Sequence, residues 1–162
     1  MADFSDTIAV CPGTYDPVTE GHLDIIRRAN CLFSRVVVGV AAVSPRKDTL
    51  FSAPERVKFL RGSLGETIEV DVFDTLLVDF ARKWDARALV KGLRAISDFE
   101  YEFQMAQLNR KLASDIETVY LMASPEYSFL SSSGVKEIAR FGGNVNDLVP
   151  PEVARRLAEL FQ

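Results

Sequence analysis

The most informative stretch of this chain is Pro12-Gly13-Thr14-Tyr15-Asp16-Pro17-Val18-Thr19-Glu20-Gly21-His22. The apolar run at residues 7–11 precedes it and is typical of a buried strand, whereas apolar residues after it recur at helical spacing. The segment therefore predicts a strand, a loop rich in glycine and proline, and a helix that has Gly21 and His22 at its entrance. Because a helix N-terminus carries unpaired N–H groups and a partial positive charge, this arrangement predicts a phosphate site.

The histidine of this stretch has a functional and a plain interpretation. His22 is the only histidine in the 162 residues, and an imidazole at a helix entrance can donate a charge-assisted hydrogen bond to a phosphate oxygen. The glycines and the Asp-Pro pair are also ordinary turn residues, and a histidine in a first helical turn can simply be solvated. The order of strand, loop and helix favours the phosphate loop. The motif is neither G-x-G-x-x-G nor a Walker A loop.

Length and composition limit the class of protein. A chain of 162 residues fits one domain, residues 1–162, and 48% hydrophobic with 26% charged residues is typical of a soluble globular protein. The formal net charge of −4 argues against a general nucleic-acid or membrane-surface binder, although it leaves room for a local basic pocket. No apolar run approaches the length of a membrane span, and residues 1–6 lack the features of a signal peptide. We expect a cytoplasmic protein.

The two cysteines give no sign of a disulfide framework or a metal site. Cys11 lies in the first predicted strand and Cys31 lies late in the first predicted helix. Two cysteines are too few for a disulfide scaffold, and their separation does not match a metal-ligand pattern. We predict that both are reduced thiols in the core of the protein.

Predicted strands and helices alternate along the whole chain. The β-branched run at residues 35–42 is typical of a strand buried on both faces, as in a parallel sheet. The other predicted strands cover residues 68–73, 88–91 and 117–122, and the predicted helices include 76–84, 99–112, 135–141 and 151–160. A further helix begins at the capping-box sequence of residues 52–55. This order predicts an α/β domain with a mainly parallel sheet and right-handed crossovers.

Basic side chains are concentrated in the loops that should bind a ligand. In such sheets, ligands bind beyond the carboxyl ends of the strands, where the winding reverses. Arg46 and Lys47 follow the second strand, whereas Lys91 and Arg94 follow the fourth, in a predicted turn at residues 92–94. For any one of them alone, a solvated surface charge is the better explanation, as it is for most Lys and Arg residues. Together with the histidine they predict a cationic pocket, in which planar Arg94 suits bidentate phosphate contact.

Two polar clusters have open interpretations. Ser131-Ser132-Ser133 precedes a predicted helix and suits a phosphate, although a plain N-cap explains it equally well. Asp98, Glu100 and Glu102 crowd the start of another helix, where acidic side chains also simply favour the helix dipole. The sequence has no Ser-His-Asp triad, zinc pattern or paired-carboxylate signature. A pocket of phosphate donors without an evident nucleophile suggests transfer between two phosphate-bearing substrates, catalysed by positioning and charge stabilisation.

Three blocks of this sequence resemble one known family. Residues 12–17 with Thr19-Glu20-Gly21-His22 resemble the T-x-G-H form of the nucleotidyltransferase H-x-G-H motif, which alone indicates only the superfamily. Residues 91–94 with 98–102, and residues 127–137, are similar to the other motifs of the bacterial phosphopantetheine adenylyltransferases. The match covers nearly the whole chain, in order and at the spacing of the family.

The resemblance implies a fold and a reaction. The fold would be a Rossmann-like, doubly wound, five-stranded parallel sheet in a single α/β domain with C-terminal helices. The 4′-phosphate of phosphopantetheine would attack the α-phosphorus of ATP directly, giving dephospho-coenzyme A and pyrophosphate without a covalent enzyme intermediate. The cofactor would be Mg²⁺, for which no residue is an evident ligand, so ATP phosphates and water would hold it. The family also implies a homohexamer and feedback binding of coenzyme A at the same site.

The resemblance also assigns roles to residues by position. His22 would stabilise the pentacovalent transition state, and the catalytic set would be His22, Lys47 and Arg94. Thr14 would orient the attacking phosphate, and Leu77 would line the pantetheine arm. The residues expected to contact phosphopantetheine are Thr14, Lys47, Leu77 and Lys91. The residues expected to contact ATP are Thr14, Tyr15, His22, Gly92, Leu93, Arg94, Glu102, Tyr127, Ser128, Phe129, Leu130, Ser131, Ser132 and Ser133.

Three departures from the family pattern leave details open. Lys91 is often arginine in the family, so its charge is kept while bidentate contact is lost, and Tyr127 is often tryptophan. The loop at residues 42–51 is one residue longer than in some members. The loop cation is therefore Arg46 or Lys47, and we assign Lys47.

Two other functions remain open on the sequence alone. One is a nucleotidyltransferase acting on nicotinamide mononucleotide or a polyol phosphate, although such families usually have histidine at the position of Thr19 and lack the block at 98–102. The other is a non-catalytic nucleotide-binding module, which would not need His22 together with the basic residues.

Overall fold

Strands and helices alternate in the computed structural model, which describes residues 6–43 and 48–161 without the side chains of residues 96 and 97. The strands are β1 (Ile8–Gly13), β2 (Arg35–Ala41), β3 (Glu69–Phe73), β4 (Ala88–Leu93) and β5 (Glu117–Met122). The α-helices are α1 (Glu20–Leu32), α2 (Ala53–Leu64), α3 (Leu77–Lys83), α4 (Ile96–Leu112), α5 (Ser132–Arg140) and α6 (Pro151–Phe161). A 3₁₀ turn covers Pro125–Tyr127.

The five strands form one parallel sheet in the order β3-β2-β1-β4-β5. Val10 of β1 lies between Val37 of β2 and Leu89 of β4, so β1 is central. The chain winds outward in one direction through β2 and β3 and in the other through β4 and β5. This topology confirms the doubly wound fold, and it places the winding reversal between β1 and β4, where such folds bind ligands.

Alternate residues of each strand face two separate hydrophobic layers. Ala9 and Cys11 belong to the larger layer, which α1, α2, α5 and α6 cover, whereas Val10 faces the smaller layer beneath α3. This two-residue period is what a strand buried on both faces requires. Val135 of α5 and Leu157 of α6 are fully buried in the larger layer, so the C-terminal helices complete the core as predicted.

Two strands run further than predicted. β1 continues through Pro12 and Gly13 because both residues pair with β2. β4 continues through Leu93 because its last three residues pair with residues 120–122 of β5, so Gly92 and Leu93 belong to a strand rather than to the predicted turn. The pairs between β1 and β4 within the described residues end at Val10. Pro12 has no N–H to donate, which is consistent with separation of these strands at the carboxyl end.

The local sequence signals had mixed outcomes. The predicted capping box forms, with the Glu55 N–H donating to Ser52 Oγ at 3.4 Å. Cys11 is buried as predicted, and burial raises its pKa to about 12. The prediction for Cys31 was wrong, since this residue is exposed. Cys31 lies in the last turn of α1 but off its buried face, which the apolar residues Leu23, Ile26 and Ala29 define.

Candidate active site

The entrance of α1 is built by a reciprocal cap between Thr19 and His22. The His22 N–H donates to Thr19 Oγ1 at 3.3 Å, and the Thr19 N–H donates to His22 Nδ1 at 3.1 Å. This is a capping box in which histidine replaces the usual glutamate or glutamine. Thr19 is buried, so the cap fixes the orientation of the imidazole ring against the loop that follows β1.

The cap also determines which ring nitrogen of His22 carries the proton. Because Nδ1 accepts the Thr19 N–H, it cannot itself be protonated in the neutral ring. The proton of the neutral imidazole therefore lies on Nε2, which is left as a hydrogen-bond donor. A donor at this nitrogen is the group that an anionic phosphate oxygen needs.

The surroundings of His22 keep the ring neutral. The ring is half-buried, and its centroid lies 5.1 Å from that of Tyr15 in an edge-on contact. Burial and, secondarily, the positive charge of Arg94 lower the pKa of His22 from 6.5 to about 4. At neutral pH the charge assistance that the sequence predicts for the hydrogen bond must therefore come from the phosphate rather than from an imidazolium.

The N-terminus of α1 offers fewer free N–H groups than the sequence suggests. The Glu20 N–H donates to the carbonyl of Leu148 at 3.0 Å, and the His22 N–H is taken by the cap. The helix dipole still points at this end of the sheet, but the His22 ring rather than a row of N–H groups is the main donor that α1 presents.

Tyr15 reaches the site through its backbone and not through its hydroxyl. Its φ angle is 52°, a left-handed conformation that non-glycine residues seldom adopt. The side chain is buried, and its hydroxyl donates to the Cys11 carbonyl at 2.9 Å. Tyr15 was predicted to contact ATP, and this geometry leaves its backbone for such a contact while its ring supports His22.

The carboxyl end of β4 lies close to α1 and to the segment before α5. A Cβ on Gly92 would lie 3.0 Å from Ile25 Cγ1, so glycine lets α1 approach the strand. The guanidinium of Arg94 donates from Nη1 to the Leu130 carbonyl at 2.5 Å and from Nε to Asp98 Oδ2 at 3.1 Å. Arg94 therefore joins β4 to the segment before α5, and its charge acts on His22.

Lys91 and Glu102 form an ion pair, with Lys91 Nζ 2.6 Å from Glu102 Oε2. Both side chains are only 19% exposed. Tyr120 Oη also donates to the Glu102 carbonyl at 2.7 Å. The sequence assigned Lys91 to phosphopantetheine and Glu102 to ATP, and the structure pairs the two residues directly.

The segment before α5 lies against the α1 entrance. A Cβ on Gly21 would lie 3.3 Å from Tyr127 Cβ, and Ser132 Oγ donates to the Pro17 carbonyl at 2.8 Å. Ser131 caps α5 by accepting the Gly134 N–H at 3.0 Å, so the plain N-cap interpretation is correct for that side chain. The helix begins at Ser132, three residues before its predicted start, because this cap organises an additional turn.

The other predicted ATP contacts lie in the segment before α5, in the first turn of α5 and at the end of β4. Leu130 is buried, Ser128 Oγ donates to the Pro125 carbonyl at 2.9 Å, and Phe129 is 74% exposed. Ser133 lines a cavity of about 550 Å³ together with residues 48–50 and side chains of α5. Leu93 is half-buried at the end of β4.

Two predicted contacts to phosphopantetheine follow β1 and β3, and one prediction is outside the described residues. Thr14 follows β1, and its carbonyl accepts from Arg56 Nη1 at 2.6 Å. Leu77 begins α3 beyond β3, which is two strands, or about 10 Å, from β1. Arg46 and Lys47 lie outside the described residues, as does the choice between them.

Sequence reasoning missed three charged residues at the base of this site. Arg56 is fully buried, Asp16 is 5% exposed, and Lys136 forms an ion pair with Asp16 at 2.7 Å. One signal was available, because Arg56 lies four residues before Leu60 on the apolar face of α2. A charged residue on a buried helix face indicates a specific partner.

Residues 6–43 and 48–161 contain no group of three or more His, Cys, Asp or Glu side chains that could hold a metal ion. Among the helices of these same residues, none combines the length and apolar character that crossing a bilayer requires.

Comparison with known proteins first gives the broad family and the fold to which this chain is similar. Residues 10–138 match the family described as cytidylyltransferase-like. A solved structure from Vibrio parahaemolyticus, named for nicotinate-nucleotide adenylyltransferase, superimposes with a TM-score of 0.68 over 95% of this chain and 93% of its own. The solved structure of a lipopolysaccharide core biosynthesis protein from Thermoplasma volcanium superimposes with a TM-score of 0.54, over 73% of this chain and 96% of that chain. At 14% and 16% identity these two structures support the fold.

Relatives with similar sequences identify the branch of this family to which the chain belongs. The phosphopantetheine adenylyltransferase of Moorella thermoacetica is 58% identical over 156 residues, covering 95% of this chain and 97% of that protein. The phosphopantetheine adenylyltransferase of Caldanaerobacter subterraneus is 52% identical over 157 residues, covering 96% of this chain and 98% of that protein. The chain therefore belongs to the cytidylyltransferase-like family and, within it, to the phosphopantetheine adenylyltransferases.

Proposed function

We propose that this protein transfers AMP from ATP to 4′-phosphopantetheine and releases dephospho-coenzyme A and pyrophosphate, a step of coenzyme A biosynthesis. The observation that carries the proposal is a near full-length identity of 58% to an adenylyltransferase of this specificity. The geometry supports it, since His22 presents Nε2–H at the winding reversal of the sheet and the positive charge of Arg94 lies close enough to lower the pKa of the ring. The relatives supply the identity of the acceptor, and the site supplies a chemical means of transfer.

In this mechanism His22 acts as a neutral donor. The Thr19 cap holds the ring so that Nε2–H points away from Nδ1 and remains available for a phosphate oxygen. Negative charge grows on the α-phosphate as the acceptor attacks, so a fixed donor there binds the transition state more tightly than the ground state. Because its pKa is about 4, the ring keeps this donor across neutral pH without first losing a proton.

The two cations at the carboxyl end of β4, Lys91 in the strand and Arg94 after it, have separate roles in the proposal. Lys91 would bind the phosphate of phosphopantetheine, as the family resemblance implies, and its Nζ is held at the carboxyl end of the sheet by Glu102. Arg94 would contact the polyphosphate of ATP, because its guanidinium already joins the segment before α5 that the family assigns to the nucleotide. Thr14 would orient the attacking phosphate between them. Direct attack requires two aligned phosphates, which positioning alone can accelerate strongly.

The substrate would be the Mg²⁺ complex of ATP. Bound with the nucleotide, the ion would neutralise phosphate charge and make pyrophosphate a better leaving group. Among the described residues, His22 would provide a hydrogen-bond donor to the nucleotide phosphates, and Arg94 would provide its guanidinium. Lys47 is assigned to the acceptor phosphate by the family resemblance.

The test is pyrophosphate release by the purified protein with Mg²⁺ and ATP. Release that depends on 4′-phosphopantetheine is the expected result. Release only with nicotinamide mononucleotide or a polyol phosphate would keep the nucleotidyltransferase class and overturn the acceptor. Binding of ATP without release for any acceptor would indicate a non-catalytic nucleotide-binding module.

We also propose that the protein is a cytoplasmic homohexamer that binds coenzyme A in the same site. Exposed apolar residues on α4 support assembly. Phe99 and Phe103 on one face of the helix, and Leu108 and Leu112 on the opposite face, are each at least half exposed. Phe99 and Phe103 stack with ring centroids 5.8 Å apart. An exposed apolar helix face of this kind is typical of a subunit contact. Coenzyme A contains the pantetheine and adenylate groups of the product, so competition with both substrates is expected.

A further inference from the structure

A buried ionic cluster lies under the loop that follows β1. It consists of Asp16, Arg56 and Lys136, which come from that loop, from α2 and from α5. Asp16 is 5% exposed, Arg56 is fully buried and the Lys136 side chain is 20% exposed. None of the three is among the residues to which the proposed mechanism gives a role.

The carboxylate of Asp16 binds three donors from two distant parts of the chain. Oδ2 accepts the Leu50 N–H at 2.9 Å, and Oδ1 accepts the Phe51 N–H at 2.8 Å. Lys136 Nζ lies 2.7 Å from Oδ2. Asp16 therefore fixes the chain that leads into α2 and, through Lys136, the first half of α5.

Arg56 uses its guanidinium entirely on backbone carbonyls. Nη1 donates to Thr14 at 2.6 Å and to Ala41 at 2.8 Å, Nη2 donates to Ala42 at 3.1 Å, and Nε donates to Phe51 at 3.1 Å. These carbonyls come from the loop after β1, from the end of β2 and from the connection between β2 and α2. A planar, five-donor side chain is the group that can join them in one fixed geometry.

Such a cluster is an inefficient means of stabilising a fold. Burial lowers the pKa of Arg56, which the negative charge of Asp16 partly offsets. Well-packed apolar residues commonly replace a buried ionic cluster with no loss of stability. What apolar residues cannot do is hold several backbone segments at defined hydrogen-bond distances.

We propose that Asp16, Arg56 and Lys136 are positioning residues that set the place of Thr14 relative to the first turn of α5. The inference rests on the proposed function, in which Thr14 orients the acceptor phosphate and the start of α5 contacts ATP. The Arg56 bond to Thr14 fixes one partner, and the Asp16 bond to Lys136 fixes the other. The cluster thereby aligns the two reacting phosphates, and its loss affects the rate of transfer more than the binding of either substrate.

The kinetic test compares Lys136→Met with a matched control. Loss of alignment should lower kcat by about 10-fold or more, since small displacements of reacting groups are costly in rate. The Kd for ATP and the KM for phosphopantetheine should each stay within about 3-fold, and Lys136→Arg should restore most of kcat. Lys58→Met is the control, because Lys58 forms an exposed ion pair with Glu152 at 2.8 Å on another part of the surface. An unchanged kcat in Lys136→Met, or an equal fall in Lys58→Met, overturns the proposal.

A second measurement does not depend on turnover. Hydrogen exchange at the Leu50 and Phe51 amides should be faster in Asp16→Asn than in the wild type, because an amide cannot accept both N–H groups and the ammonium as the carboxylate does. An unchanged exchange rate at these two amides would overturn the proposal that Asp16 holds this segment in place. If wild-type protein releases no pyrophosphate, the proposed function has failed, and this exchange measurement still decides whether Asp16 holds the segment.

Discussion

The backbone N–H of Thr19 donates to Nδ1 of His22 at 3.1 Å, and this single contact makes Nε2 the protonated nitrogen of the ring. The same pair closes in the other direction, since the His22 N–H donates to Thr19 Oγ1. The cap that starts α1 is thus also the device that orients the proposed catalytic donor. The capping box of residues 19–22 therefore has both a structural role in α1 and a proposed chemical role.

The first prediction concerns the role of His22 in turnover. His22→Ala should lower kcat on the order of 10² or more, as for removal of a preorganised transition-state donor. ATP binding, measured by calorimetry, should remain, because Arg94 and the segment before α5 are unchanged. Thr19→Ser keeps a hydroxyl cap and serves as the control with near wild-type kcat. A kcat of His22→Ala within a few-fold of wild type would show that the ring has no catalytic role.

The second prediction concerns stability in acid. The folded pKa of His22 is about 4 and its ordinary value is 6.5, so the unfolded chain binds a proton between these values that the folded protein does not. The stability from the neutral ring is complete above pH 6.5 and is lost as the pH falls through 4. Wild type should lose about 2 kcal/mol more than His22→Gln between pH 7 and pH 5, measured by urea denaturation. Equal losses in the two proteins would contradict a depressed pKa.

The third prediction concerns the acceptor phosphate. Lys91→Met should raise the KM for phosphopantetheine by about 10-fold or more while leaving the Kd for ATP nearly unchanged, because a charge-assisted contact to phosphate is lost. Lys91→Arg should keep most of the activity, since arginine supplies the same charge and a bidentate fork. Initial-rate kinetics with each substrate varied in turn would separate the effects. A rise in the KM for ATP instead would place Lys91 on the nucleotide side.

The fourth prediction concerns the two thiols. A thiol reagent should label one group quickly in the native protein and two in denaturant, because Cys31 is exposed and Cys11 is buried with a pKa of about 12. Cys31→Ser should abolish the fast labelling. Fast labelling that survives this substitution would mean that β1 is accessible to the reagent. Slow labelling of both thiols in the wild type would instead indicate that Cys31 is covered in an assembly.

The fifth prediction concerns the apolar face of α4. Phe103→Asp should shift the protein toward smaller species in light scattering, because a charge would have to be buried in any contact that covers this face. Phe129→Asp provides the control, since Phe129 is highly exposed outside α4. A wild-type mass of a monomer would refute the hexamer, and an unchanged mass in Phe103→Asp would place the contact elsewhere.

The order and direction of the elements could be predicted from local sequence. Apolar runs such as residues 35–42 and helical spacing carry that information within a few residues. Strand ends could not, because β4 continues to Leu93 only through pairing with β5. The exposure of Cys31 depends on which face of α1 packs on the sheet. Because successive helical residues differ by about 100° around the axis, a position next to the buried face can still be exposed.

The site could be predicted in part. His22 was identified from its loop, and the Thr19 cap had a signal in the three-residue spacing of two polar groups. The pairing of Asp16 with Lys136 had none, since the residues are 120 positions apart. Likewise, the ion pair between Glu102 and Lys91 could not be predicted, because local sequence pattern does not show contacts between a strand and a helix. The assignment of Glu102 to ATP, which the family resemblance implies, stays a prediction.

The most direct test of the central claim is to identify the product that forms from ATP and 4′-phosphopantetheine. Mass spectrometry of the reaction mixture should show dephospho-coenzyme A in an amount equal to the pyrophosphate released, and His22→Ala should form it far more slowly. Pyrophosphate accompanied by free AMP and no dephospho-coenzyme A would mean that water, and not phosphopantetheine, is the acceptor. That result would contradict direct transfer between two bound phosphates.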